Sequence, residues 1–139
     1  MRAHKIGNNI IARIDRGEML VDKLKEVCDR FSIGCGVVSG IGATDSFVCG
    51  VFDPSTKHYK ELVFEGTYEI LSLCGNITRM NNKPYIHLHI TAGDEQGSCI
   101  GGHLITARIS ATCEIIINVM DSTVERYRDE NTALNLLDI

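Results

Sequence analysis

Residues 85–105 read YIHLHITAGDEQGSCIGGHLI, and their spacing predicts two antiparallel strands joined by a tight turn. Glu95-Gln96-Gly97 reads as a three-residue hairpin loop with Gly97 at its left-handed position. Such a loop pairs Asp94 with Ser98 and, counting back along both strands, His89 with His103. His87 and His89 stand two apart on the first strand, so their side chains leave the same face. Directly opposed residues share a face as well. The imidazoles of His87, His89 and His103 therefore converge. A two-residue loop would set Leu88 against His103 and scatter them, and a bulge at Gly101-Gly102 would shift the register.

The rest of the chain supplies a sheet for this hairpin. Asn9 to Ile14 reads as a strand. Asp15 and Glu18 have capping-box spacing, Gly17 eases the turn, and Leu20, Leu24, Val27, Cys28 and Phe31 recur at helical spacing. Residues 18–32 are thus predicted to form one amphipathic helix, ended by Gly34. From Cys35 on, strand patterns dominate: Val37-Val38, Phe47–Phe52 up to the turn signal Asp53-Pro54, Tyr59–Phe64, Tyr68–Ile77, Tyr85–Thr91, Cys99–Ala107 and Cys113–Val119. Short connections favour antiparallel pairing. The tail carries a charged stretch, Glu125–Glu130, and then Leu134, Leu136 and Leu137, expected to fold back on the sheet. The expected class is α+β, one domain over residues 1–139, mainly antiparallel sheet with one long amphipathic helix packed on it. One helix covers one face, so the other would leave an apolar patch that oligomerisation covers economically.

Bulk properties narrow the partners. Fourteen basic against 18 acidic residues give a net charge of −4, the wrong sign for a surface that attracts nucleic acid or anionic membrane as a whole. No segment approaches the ~20 apolar residues that cross a bilayer, and the polar start lacks a signal-peptide pattern. The cytoplasm is the expected compartment. Six cysteines (Cys28, Cys35, Cys49, Cys74, Cys99 and Cys113) form no C-x-x-C pair and read as structural thiols. The glycines from Gly34 to Gly42 lack both a dinucleotide fingerprint and a phosphate-loop lysine. Ser39 has no nucleophile-elbow frame around it.

Several strings, taken in order, resemble a known family. Arg16-Gly17-Glu18 opens the helix and Val38-Ser39-Gly40-Ile41-Gly42-Ala43 follows it; Phe52-Asp53-Pro54 closes a later strand. Then come Tyr68-Glu69-Ile70-Leu71-Ser72-Leu73, Pro84-Tyr85-Ile86-His87-Leu88-His89, Gly101-Gly102-His103-Leu104 and, near the end, Leu136-Leu137-Asp138. The set is similar to the plants-and-prokaryotes conserved (PPC) domain. The resemblance implies an antiparallel sheet domain with a helix packed on it, assembled as a homotrimer. Plant members join it to AT-hook segments, and stand-alone prokaryotic members carry a DNA-binding label through that association. This sequence has no Arg-Gly-Arg-Pro motif, and its Arg16-Gly17 runs into Glu18 and a helix.

Three neutral imidazoles on adjacent strands suit zinc or another divalent first-row metal, with a fourth position open for water or ligand. A tight turn at Arg108-Ile109 would place Glu114 opposite His103 as a fourth ligand or hydrogen-bond partner. The plainer reading is that these histidines are ordinary half-buried strand residues. His4 and His58 read as solvated. Two functions are compatible: a non-enzymatic homotrimeric module whose metal site serves DNA, a small ligand or a protein, or a metal-dependent enzyme with Glu114 as its general base. The first is favoured, because nothing else in the chain looks like catalytic equipment.

Overall fold

The computed structural model describes residues 1–139 as β1 (Arg2–Ile6), β2 (Asn9–Asp15), α1 (Leu20–Arg30), β3 (Gly36–Asp53), β4 (His58–Met80), β5 (Lys83–Gly93), β6 (Cys99–Val119), β7 (Arg126–Asp129) and β8 (Leu134–Leu137). Every strand pairing is antiparallel. The six-stranded sheet runs β1-β2-β6-β3-β4-β5, and β5 also returns to β6, so that β3, β4, β5 and β6 close on themselves. β7 and β8 form a separate two-stranded ribbon.

Where the sequence predicts pairs of short strands, the fold has single long ones of 18, 23 and 21 residues in β3, β4 and β6. They bend without breaking. Register shifts fall between Gly40 and Gly42, Thr44 and Ser46, Val48 and Cys49, and Ile70 and Ser72, and Gly66 takes a φ of 141° within β4. A bulge adds a residue on one side, bends the strand and keeps the ladder going. At the bend in β3, Thr44 is fully buried and its hydroxyl donates 2.7 Å to the carbonyl of Arg108. The predicted turn at Arg108-Ile109 does not exist. Residues without Gly, Pro or Asn continue β6 there.

The helix is shorter than its apolar pattern, spanning 11 residues. Glu18 does reach back to the Asp15 amide at 2.9 Å, but this closes a turn before the helix, whose N-cap is Met19. The C-terminal reversal falls at Ser32, with φ of 51°, and the Ile33 amide bonds the Cys28 carbonyl at 2.9 Å. Gly34 instead permits a close approach, since a Cβ there would strike Thr123 and lie 2.7 Å from the Ser122 carbonyl oxygen.

Leu20, Leu24, Val27 and Cys28 of α1 are fully buried, as are Ile10 and Ile14 of β2 and Ile115 and Ile117 of β6. Leu88 and Ile90 of β5 join the same core. The opposite face of the sheet is open. On it Ile11 pairs with Ile116, and these two, with Val37, Ile41 and Leu71, are each about half exposed. Strand alternation puts His87 and His89 on this open side, because Leu88 and Ile90 point into the core. No helix is long and apolar enough to cross a membrane. Cys28, Cys49 and Cys113 are buried, whereas Cys74 and Cys99 are exposed, and all six thiols are free. Burial pushes the Cys28 and Cys113 thiols up to about 12, which makes them inert core residues.

Candidate metal centre

The β5–β6 turn forms as its residues dictate. Gly97 sits at φ 82°, its amide bonds the Asp94 carbonyl at 3.0 Å, and Asp94 and Ser98 are joined by a backbone bond of 3.0 Å. The Asp94 carboxylate also accepts from the Gln96 and Ser98 amides at 3.0 and 2.8 Å. This register sets His89 against His103. His103 is also paired with Gly50 of β3, so it stands where β6 changes partner from β5 to β3. Glycines allow the backbones to meet there. A Cβ on Gly101 would strike the Ile90 carbonyl, and one on Gly102 would lie 2.8 Å from the Gly50 oxygen. No bulge interrupts the pairing from His89 to Gly93.

The three imidazoles come together. Ring centroids are separated by 5.3 Å for His87 and His89, 5.0 Å for His87 and His103, and 5.6 Å for His89 and His103. One nitrogen from each lies within 4.8 Å of the others. Burial, reinforced by His103, Arg126 and His89, lowers the His87 pKa to about 4. His103 is lowered too, by burial first and then by His89. Both are therefore neutral near pH 7, the form that donates a lone pair to a metal. The Nδ1 atom of His103 is buried with no hydrogen-bond partner, an arrangement that costs free energy unless something occupies it.

Glu114 is not part of this group. It lies 11 residues along the same strand from His103, opposite Arg13 of β2 and Ile41 of β3. With no turn at Arg108-Ile109, β6 carries it away from the histidines, by at most roughly 35 Å if the strand were straight. His4 and His58 are exposed, as expected, and neither is one of the three whose nitrogens converge.

The wall opposite the histidines is built partly by the tail leucines, which do fold back on the sheet, and partly by residues the sequence did not point to. The β7–β8 ribbon folds over the open side and borders a half-open cavity of about 390 Å³ with His87, His103, Tyr59, Tyr85 and Asn76. Leu134, Leu136 and Leu137 supply its apolar side. Arg126 ties the ribbon down: its Nε donates to Thr78 at 2.8 Å, Nη1 to the Asn135 carbonyl at 2.7 Å and Nη2 to Asn76 at 2.8 Å. Its guanidinium lies 4.7 Å from the centre of the Tyr85 ring, and the Tyr85 hydroxyl accepts from Asn135 at 3.2 Å. Tyr59 packs on His103 with ring centroids 4.9 Å apart. Apart from the tail leucines, only Tyr85 carried a local signal, being two positions before His87 and hence on its face. The others come from distant parts of the chain.

A family model described as the Plants and Prokaryotes Conserved (PCC) domain matches residues 1–121. The chain belongs to this family. Solved structures agree with the assignment. A protein from Bacteroides thetaiotaomicron, named as a candidate DNA-binding protein, superposes with a TM-score of 0.95 at 34% identity over 99% of this chain and 96% of its own. A metal-containing protein from Archaeoglobus fulgidus gives 0.86 at 33% identity, over 95% of this chain and 94% of its own. A plant- and prokaryote-conserved protein from Pyrococcus horikoshii gives 0.84 at 28% identity, over 95% and 93%. Comparison with curated proteins found no match. The PPC-family match stops before β7, so Arg126 and the ribbon lie outside the stretch that defines membership.

Proposed function

We propose that this PPC-family chain is a non-enzymatic, homotrimeric binding or regulatory protein that holds a divalent first-row metal, zinc foremost, on His87, His89 and His103. One observation carries the reading: three imidazoles converge, two of them held neutral by burial, and one buried nitrogen is without a partner. A buried imidazole nitrogen ordinarily has a hydrogen-bond partner, from protein or from water, and a metal ion would fill that role here. When bound, such an ion supplies a Lewis-acidic position open to an incoming ligand. The protein's contribution is to fix the three rings by register and to shelter His87 and His103 under the β7–β8 ribbon, leaving His89 exposed. The Archaeoglobus relative, named as metal-containing, supports the assignment.

The trimer rests on the half-exposed Ile11, Val37, Ile41, Leu71 and Ile116, an apolar face of the kind that proteins cover by association. DNA association draws support from the name of the Bacteroides relative, while the net charge of −4 works against it. A duplex that stays unretarded at low salt removes that option. The cavity beside the histidines favours, as a second reading, a metal-dependent enzyme acting on a small molecule. Its expected general base, Glu114, lies elsewhere on β6, so the binding role is preferred.

Elemental analysis of protein purified without a histidine tag tests the site. We expect close to one metal per chain, and little in His89→Ala. A parent that takes up no metal even after zinc is added would overturn the assignment.

A further inference from the structure

Arg126 is a half-buried cation that forms no ion pair with any carboxylate of the chain. Its three protein bonds all go to neutral oxygens, those of Thr78, Asn76 and the Asn135 backbone. A charge partly withdrawn from water and without a counter-ion loses some of its solvation. A guanidinium has five N–H donors, so two remain, one on each terminal nitrogen, and such a pair can serve the two oxygens of one carboxylate. Arg126 borders the same cavity as His87 and His103. It is bonded to Asn76 of β4, which stands directly opposite His87 of β5. The remaining wall is apolar or aromatic, with Leu134, Leu136 and Leu137 on one side and Tyr59 on the other.

We propose that this cavity binds a small organic carboxylate with an apolar or aromatic body, its carboxylate on Arg126 and its body between Tyr59 and the ribbon leucines. A ligand of this kind neutralises the unpaired guanidinium and fills the apolar side in one step. An adjacent oxygen on the ligand faces the open position at the histidines; that part of the inference rests on the metal reading above. A free phosphate shares the charge and can take the same fork, but it lacks the apolar body that the leucines and Tyr59 would cover.

The test is calorimetric titration of the zinc-loaded and the chelator-treated protein with salicylate, benzoate, benzamide and inorganic phosphate. The cobalt-substituted protein, titrated with the same probes, reports on the metal through its visible spectrum. We expect one salicylate per chain, benzoate binding more weakly, and at least tenfold weaker binding of the neutral benzamide. Arg126→Gln should weaken salicylate at least tenfold while holding the same amount of metal. The acid-against-amide comparison on the parent protein keeps the test decisive if that variant fails to fold. Equal affinity for benzoate and benzamide overturns the proposal, as does phosphate binding without carboxylate binding. So does a folded Arg126→Gln variant that binds salicylate as the parent does. Benzoate that binds through Arg126 to a protein unable to hold metal sustains the carboxylate pocket and removes only the metal reading.

Discussion

His87 shows how a single residue couples fold and solution conditions. In the folded chain its pKa is lowered to about 4, mainly by burial and then by the neighbouring His103, Arg126 and His89. In the unfolded chain it titrates at an ordinary value near 6.5. Above pH 6.5 both states are neutral there and folding carries no proton penalty. Between 6.5 and 4 the unfolded chain binds a proton that the folded one refuses, so stability falls as the pH falls. The slope is at most about 1.4 kcal/mol per pH unit for one such imidazole, and solvent screening at a half-buried site reduces it. His103 is shifted in the same direction. Urea midpoints of metal-free protein should thus drop on acidification from pH 6.5 to 4, and His87→Gln should flatten the dependence. A midpoint that rises over that window would contradict the burial assigned to these rings.

Among the elements, the β5–β6 hairpin was the most legible, because its register is set by a few adjacent residues: Asp94, whose carboxylate binds the turn, and Gly97, which takes the left-handed conformation. The meeting of the three histidines followed from that register alone. Glu114 was misplaced because a continuous, bulged strand and a pair of short strands look alike where neither contains a turn residue. The Thr44 hydroxyl bound to the Arg108 carbonyl is a contact 64 residues apart that no local pattern announces. Arg126 escaped notice for the same reason, since its partners Asn76 and Thr78 are about 50 positions away. The β4–β5 pairing offers a test of how closely these elements must meet. A Cβ on Gly75 would strike the His87 carbonyl and lie 2.9 Å from Leu88 Cα. Gly75→Ala should therefore cost roughly 1–3 kcal/mol and reduce metal retention by displacing the His87–His89 segment. Wild-type denaturation and metal content in this variant would show that β4 has room to spare.

On the scale of the whole molecule, the open sheet face is where the proposed homotrimer can be tested. Ile116 is 52% exposed and Ile41 58%, at the middle of a face that the helix leaves uncovered. Replacing Ile116 by Asp adds a charge there without touching the core, so the folded chain should persist while the assembly falls apart. Sedimentation should show a trimer for the parent and a monomer for Ile116→Asp, with unchanged circular dichroism. A parent that sediments as a monomer would remove the homotrimer from the proposed function. The sheet order has a consequence in time as well. β6 is bonded to β2, β3 and β5, and its ladder to β2 joins Asn9 to Asn118. Ribosomes add about 5–20 residues per second, so β2 and α1 wait on the order of 5–20 s after synthesis before the strand that buries them exists. Until then the apolar side of α1 is a natural client for chaperones, and the arrival of β6 governs when β2 and α1 reach their native packing.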